Sequence, residues 1–245
     1  FNFKNYMISN DIFYVQAWVK PPKYTKLDLI NLELSDINTN KVKKEKIPIN
    51  SELNITINSN KKNFSILSSD KEIPIIIKEK NNYQTNYSIK KNQNIVIKKN
   101  KKYYNKWFFN IIPDQPPIIE FLSKPIIVNQ TAITFVAKAS DDYGIKLLSA
   151  KISRPSEYEH FKEKYLSYNL KEGLGLSNNN KNIESYFYER LSHIIWAGSK
   201  SVLTIIASDE TGQIVSKSKN IVIPKKKFKN TLSNQIINIR ADIAK

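Results

Sequence analysis

The 245-residue chain contains no cysteine, which removes disulfides, thiolate metal sites and cysteine nucleophiles together and leaves the redox compartment open. It has only two histidines, His160 and His193, far apart in sequence. No His-Glu-x-x-His is present, so an imidazole zinc set has no members. The Gly-x-Ser-x-Gly elbow of many serine hydrolases is also missing, and a lone histidine without a placed partner reads as an ordinary structural side chain. No catalytic, cofactor-binding or metal-binding residue is assigned, and the chain is expected not to be an enzyme. No apolar run approaches the roughly 18 residues of a membrane span, and no signal peptide is visible. The chain starts at Phe1 rather than Met, and its last segment reads as a helix continuing past Lys245. A fragment of a longer protein is therefore expected, and the missing membrane segment says nothing about the parent.

Arginine is scarce as well: Arg154, Arg190 and Arg240 stand against 36 lysines, and these set the net charge of +17. A nucleic-acid surface recruits arginine for bidentate phosphate and guanine contacts, so nucleic acid is the less favoured partner. Lysine, isoleucine and 29 asparagines are together what an AT-rich genome supplies, and much of the charge can be codon bias. The surplus still favours anionic headgroups or wall polymers. Hydrophobic residues make up 40% of the chain, enough to build real cores.

Glycine is limited to five residues but proline is concentrated, above all in Asn110-Ile-Ile-Pro-Asp-Gln-Pro-Pro-Ile-Ile-Glu120. Pro113, Pro116 and Pro117 lack amide donors and fix φ, so no central sheet ladder runs through them. A stiff, extended joint is expected over 113–117. On each side the chain reads as short strands about every ten residues, the pattern of a β-sandwich. The expected fold is all-β: two tandem immunoglobulin-like sandwiches followed by the start of a C-terminal α-helix. The expected domains are a lead-in over 1–10, a first sandwich over 11–112, the joint, a second sandwich over 118–224 and a helical extension over 225–245. A helical or loop insertion is expected near 155–195.

Ile12–Val19 is dense in β-branched and aromatic residues and predicts a strand that ends at Pro21 and Pro22. Leu27–Leu34 suggests a bulged strand. Asp36–Lys46 reads as a polar loop or exposed hairpin, and 47–51 as a turn. Leu53–Ile57 alternates strictly, which buries Leu53, Ile55 and Ile57 on one face. Strands are expected near 64–67, 73–77, 83–89, 94–97 and 103–109. In the second half they are expected near 132–138, 145–152, 202–207 and 214–223. Ile183–Ile194 predicts a short amphipathic helix with Phe187, Leu191 and Ile194 on one face. Leu232, Ile236, Ile239 and Ile243 have the spacing of one face of a closing helix.

Asp114, Asp141, Asp142, Asp209 and Glu210 lie in the joint and in two turns, where oxygen-rich loops can hold calcium. No EF-hand pattern occurs, and aspartate before glycine more often bonds its own backbone, so turn chemistry is favoured over metal. Trp18, Trp107 and Trp196 read as core or corner packing rather than a ligand-stacking set. The lysine clusters at 41–46, 98–102 and 225–229 read as guards of sheet edges.

Several of these motifs occur in one order: Ala17-Trp18-Val19-Lys20-Pro21-Pro22-Lys23-Tyr24-Thr25, then Ile47-Pro48 to Leu53, and Trp107 to Pro117 with Pro113-Asp114-x-Pro116-Pro117. They continue with Asp141-Asp142-Tyr143-Gly144, Trp196-Ala197-Gly198, Ala207-Ser-Asp209-x-x-Gly212-Gln213 and Ile223-Pro224-x-x-x-Phe228. In that order they resemble the domain-of-unknown-function 4175 family, long alphaproteobacterial envelope proteins. The likeness runs from about Asp11 to the end. It implies a parent with transmembrane helices before this segment, this β-rich region on the periplasmic side of the inner membrane, and a long helical tail after it. The family carries no established activity, so no catalytic role transfers. Where members tend to have His-Pro-Trp-Ala-Gly, this chain has His193-Ile194-Ile195-Trp196-Ala197-Gly198, and no role is carried onto His193. The expected function is a non-enzymatic extracytoplasmic scaffold or interaction module whose partner is an envelope protein or wall polymer. The alternative is a binder of nucleic acid or another anionic polymer through its lysines.

Overall fold

The computed structural model describes residues 12–34, 42–154, 167–169, 174–175, 180–194 and 197–243. The chain forms two compact units, Phe1–Asp114 and Gln115–Lys245. Unit 1 holds β1 (Phe13–Lys20), a 3-10 turn over Lys23–Thr25, β2 (Ile30–Asn31), β3 (Lys43–Pro48), β4 (Ser51–Ser59) and β5 (Phe64–Ser68). It continues with β6 (Lys71–Glu72), β7 (Ile76–Glu79), β8 (Asn82–Ile89), β9 (Gln93–Lys99) and β10 (Lys102–Ile112).

These strands make two sheets, ordered β2-β1-β4-β8-β7 and β3-β10-β9-β5-β6. Val15, Val19, Leu53, Ile55 and Ile57 of the first sheet meet Ile66, Ile95, Ile97, Trp107 and Phe109 of the second in one buried cluster. The strict alternation read over 53–57 is therefore real, and each fully buried aliphatic there is worth about 1.5–3 kcal/mol. Three expectations are corrected. Lys43–Pro48, expected as part loop and part turn, is a strand that pairs in parallel with β10, from Trp107↔Lys43 to Ile112↔Pro48. Lysine-rich residues suit it because Lys44 and Lys46 are exposed while Ile47 carries the burial. The bulged strand expected over 27–34 shrinks to the two residues of β2, and Ile73–Ile75 fall between strands.

Unit 2 holds β11 (Ile118–Phe121), β12 (Ile126–Val128), β13 (Ala132–Ser140), β14 (Ile145–Ser153), β15 (Ser167–Asn169) and β16 (Leu174–Gly175). It closes with β17 (Asn182–Arg190), β18 (Lys200–Asp209), β19 (Ile214–Val222) and α1 (Thr231–Ile243). One sheet runs β11-β13-β17-β16, with β12 also on β13, and the other β15-β14-β18-β19. Ile133, Phe135 and Phe187 of the former share a core with Ile152, Leu203 and Ile205 of the latter. The Phe135 and Phe187 rings stack at 4.8 Å and 10°, a pairing worth about 1 kcal/mol beyond burial.

The helix expected over 183–194 is absent: Asn182–Arg190 is strand β17, paired residue by residue with β13. Ser185 and Phe187 are buried while Tyr186 and Tyr188 face outward, a period of two that tyrosines at the exposed positions conceal. Leu191 and Ile194 are buried beyond the strand end, which produced a false helical spacing. The closing helix is present, capped by Asn230 Oδ1, which accepts from the Leu232 and Ser233 amides at 2.8 and 3.4 Å. Its Leu232, Ile236 and Ile239 are exposed, however, and among its described side chains Ile237 is the buried one, Ile243 lying outside them.

Glycine scarcity shows in the turns. Asn50, Ser69, Asp70, Asn81, Asn100, Lys101, Asn129 and Gln130 all take positive φ, where glycine is the strain-free choice. Asn100-Lys101 and Ser69-Asp70 form two-residue hairpin turns with both φ positive, the handedness that matches strand twist. Asparagine tolerates this region best among non-glycine residues, and four of the eight are asparagine.

Candidate functional site

The motif residues of unit 1 hold loops to the sandwich. Trp107 is fully buried, and its Nε1–H donates to the Glu33 carbonyl at 3.2 Å. That bond ties the connection after β2 to the core strand β10. Beside it Lys43 Nζ lies 2.7 Å from Glu33 Oε2, and the Lys43 hydrogen bond and charge hold the Glu33 carboxyl below its ordinary value. Trp18 is half-buried on β1 opposite Asn31 and Asn54. Pro21 is buried, and Pro22 accepts at its carbonyl from Thr25 Oγ1 at 2.7 Å, closing the 3-10 turn that contains the half-buried Tyr24. Phe13, Phe64, Tyr83 and Tyr104 form an edge-to-face aromatic group with centroids 4.8–5.7 Å apart. Burial there raises the Tyr104 hydroxyl above its ordinary pKa.

Pro113 and Pro116 are exposed and Asp114 half-buried, while Pro117 is buried just before β11. In unit 2 the acidic turns are built for their own backbone. Asp141 Oδ2 accepts from the Tyr143 and Gly144 amides at 2.9 and 2.6 Å, and Gly144 has φ +135°. Asp142 and Tyr143 are half-buried in the same turn. Asp209 is buried, and its Oδ1 accepts from the Thr211 and Gln213 amides at 2.9 and 2.8 Å. Its Oδ2 accepts from Thr211 Oγ1 at 2.9 Å, and Gly212 turns the chain at φ +92°. Gly198, at φ +93°, donates its amide to the Ile223 carbonyl, and a Cβ there would meet Lys225 at 3.0 Å. Trp196 lies outside the described residues.

Chemically, these carboxylates act as fixed acceptors that replace missing strand partners. The turns carrying Asp141 and Asp209 share one end of unit 2, because Ile145 pairs with Asp209. Among the described residues, however, no three His, Cys, Asp or Glu side chains gather as a metal set. The lysines are placed individually, several over rings: Lys99 Nζ lies 4.5 Å from the Phe13 centroid and Lys219 Nζ 4.6 Å from that of Phe121.

Sequence reasoning missed the open strand edges. β19 ends its sheet, and Lys217 and Lys219 are register partners of the core residues Ile205 and Leu203. They therefore sit on the strand face turned toward the opposite sheet. The signal was Ser216-Lys217-Ser218-Lys219, an alternation with lysine where an inner strand would carry an aliphatic side chain.

Among solved structures, fibronectin(III)-like modules of CbhA from Clostridium thermocellum match at TM-score 0.31 and 12% identity, over 78% of this chain and 96% of that one. The I9-I11 tandem of titin matches at 0.28 and 11%, over 76% and 65%. A DUF3823 family protein from Bacteroides ovatus matches at 0.31 and 12%, over 66% and 88%. Scores this low support no functional argument. No curated protein matches the chain. The match that places it covers residues 6–245, and by it the chain belongs to the family described as Domain of unknown function (DUF4175).

Proposed function

We propose that this chain is a non-catalytic interaction module on the extracytoplasmic side of a membrane-anchored envelope protein. The observation that carries the reading is the set of strand edges left unpaired among the described residues, with exposed aliphatic side chains: Ile76 and Ile77 on β7, Ile126 and Ile127 on β12, Ile214 and Val222 on β19. Sandwich edges of this kind add a partner's strand through main-chain hydrogen bonds. The motif acids support the same reading, because Asp141 and Asp209 are already engaged by amides of their own turns. Membrane anchoring and the extracytoplasmic side rest on the family likeness of the motif order.

The test is photo-crosslinking in intact cells, with a crosslinking residue placed at Ile77 or Ile126 of the full-length parent. Adducts with envelope proteins or wall polymer are expected. Adducts confined to cytoplasmic proteins or nucleic acid, or none at either position, would refute the reading. A second reading, binding of an anionic polymer through the +17 charge, predicts affinity that falls steeply and linearly in log–log with salt.

A further inference from the structure

We infer that the free end of β19 is a strand-addition site for an extended acidic peptide segment with aliphatic residues at alternate positions. The inference rests on the interaction-module reading and names the chemistry of one partner.

Two hollows border the same three residues, Asn220-Ile221-Val222. One, of about 450 Å³, is lined by Lys200, Ser201 and Val202 as well as these three. The other, of about 380 Å³, adds Lys124, Pro125, Ile127, Ile133 and Lys219. Successive side chains of a strand point to opposite faces of its sheet. Ile221 is the register partner of the buried Ser201, whereas Asn220 and Val222 lie on the other face, opposite Val202 and Lys200. A strand laid along β19 would send alternate side chains to the two faces of the sheet, and those on the Ile221 side would meet the second hollow, which Ile127 and the core residue Ile133 also line. Among the described residues β19 ends its sheet, with no strand hydrogen-bonded to its outer edge.

The second hollow has an aliphatic floor. Ile133 is buried, Ile221 half-buried, and Ile127 and Val222 are exposed. Aliphatic side chains of the incoming strand suit it. Among the described residues, the charged ones lining the hollows are Lys124, Lys200 and Lys219, with no acidic residue at either. Lys219 is held over the Phe121 ring, which fixes its charge beside the edge. Lysines at a sheet edge deter neutral strands. The same charges attract a strand carrying carboxylates, so guard and selectivity filter are one device.

The probe is a fluorescein-labelled nonapeptide of alternating Glu and Val, measured by anisotropy against the full chain. Its controls are the Lys–Val counterpart and a Glu–Val peptide N-methylated at alternate amides. The Glu–Val peptide should bind at least about tenfold tighter than either control. Hydrogen exchange should slow within Ile214–Val222. Lys124→Glu combined with Lys219→Glu should invert the preference between the Glu and Lys peptides. Ile127→Lys, at a position 52% exposed and therefore tolerant of charge, should weaken binding at least about tenfold with the melting temperature unchanged. No saturation up to about 1 mM overturns the proposal. So does equal binding of the N-methylated peptide, or full displacement by inorganic polyphosphate with no exchange protection, which marks general polyanion affinity. Concentration-dependent self-association abolished by Ile127→Lys overturns it in favour of a second copy at this edge. If the charge-reversed chain still crosslinks to envelope partners at unchanged yield, the β19 site falls and the module reading stands.

Discussion

Removing the Asp209 carboxylate should loosen one hairpin of unit 2 and leave unit 1 untouched. Asp209 is 2% exposed and accepts from two amides and one hydroxyl at 2.8–2.9 Å. A hydrogen bond to a charged group is worth roughly 1.5–3 kcal/mol, and an orphaned buried donor costs about as much. Thr211 and Gly212 are exposed, so water recovers part of the loss. Asp209→Ala should therefore cost about 2–4 kcal/mol. Asp209→Asn keeps one acceptor oxygen for the two amides and should cost about 1 kcal/mol. Peptide-resolved hydrogen exchange on the full chain reads both: exchange across 208–214 should speed up by roughly 30-fold to 1,000-fold for alanine and about fivefold for asparagine. The strands of unit 1 should keep their rates. Two results would refute the reasoning. One is an alanine variant within about 0.5 kcal/mol of the parent. The other is calcium-dependent stabilisation of the parent that Asp209→Ala abolishes, which would make the carboxylate a metal ligand.

Lys101→Gly should stabilise unit 1 by about 0.5 kcal/mol in urea melts, because relief of the left-handed conformation at φ 64° slightly exceeds the added entropy of the unfolded chain. Gly212→Ala should cost about 1–2 kcal/mol although nothing lies within 4 Å of the added Cβ, since the penalty is conformational alone. Alkaline pH should weaken unit 1 through Tyr104. Its folded-state pKa lies above 10.0 because the side chain is partly buried, so its contribution is whole below the unfolded value and is lost as pH rises through the raised one. Tyr104→Phe should flatten the decline of the urea midpoint above about pH 10.

The sequence made most of the sandwich strands legible, because Leu53-Asn-Ile-Thr-Ile57 alternates strictly and Ala132–Lys138 places Ile133 and Phe135 together on the core face. Tyr186 and Tyr188 defeated that rule: they are large and aromatic yet face outward, so the period of two in β17 was masked, and Phe187, Leu191 and Ile194 took the spacing of an amphipathic helix face. Lys43–Lys46 failed in the opposite sense, since a strand bonded along one side to β10 needs few apolar residues of its own. In the closing helix the spacing identified which residues share a face, but spacing does not say which face is covered, and packing chose Ile237. The acidic turns were read by their true mechanism because aspartate followed by glycine states its hydrogen bonds locally. The β19 edge was overlooked because its one local sign, lysine at 217 and 219, reads equally as a solvated face until the pairing of the other strands is known.

The pairing of β3 with β10 joins residues 43–48 to residues 107–112, and the Glu33–Trp107 bond spans a still longer stretch. Closing so distant a contact requires nearly the whole unit in hand. During synthesis, then, the N-terminal portion must wait, its border strand unmatched, until Ile112 has cleared the ribosome exit tunnel. A nascent chain stalled before that point should remain protease-sensitive around Lys43–Pro48 and become resistant once the last strand emerges.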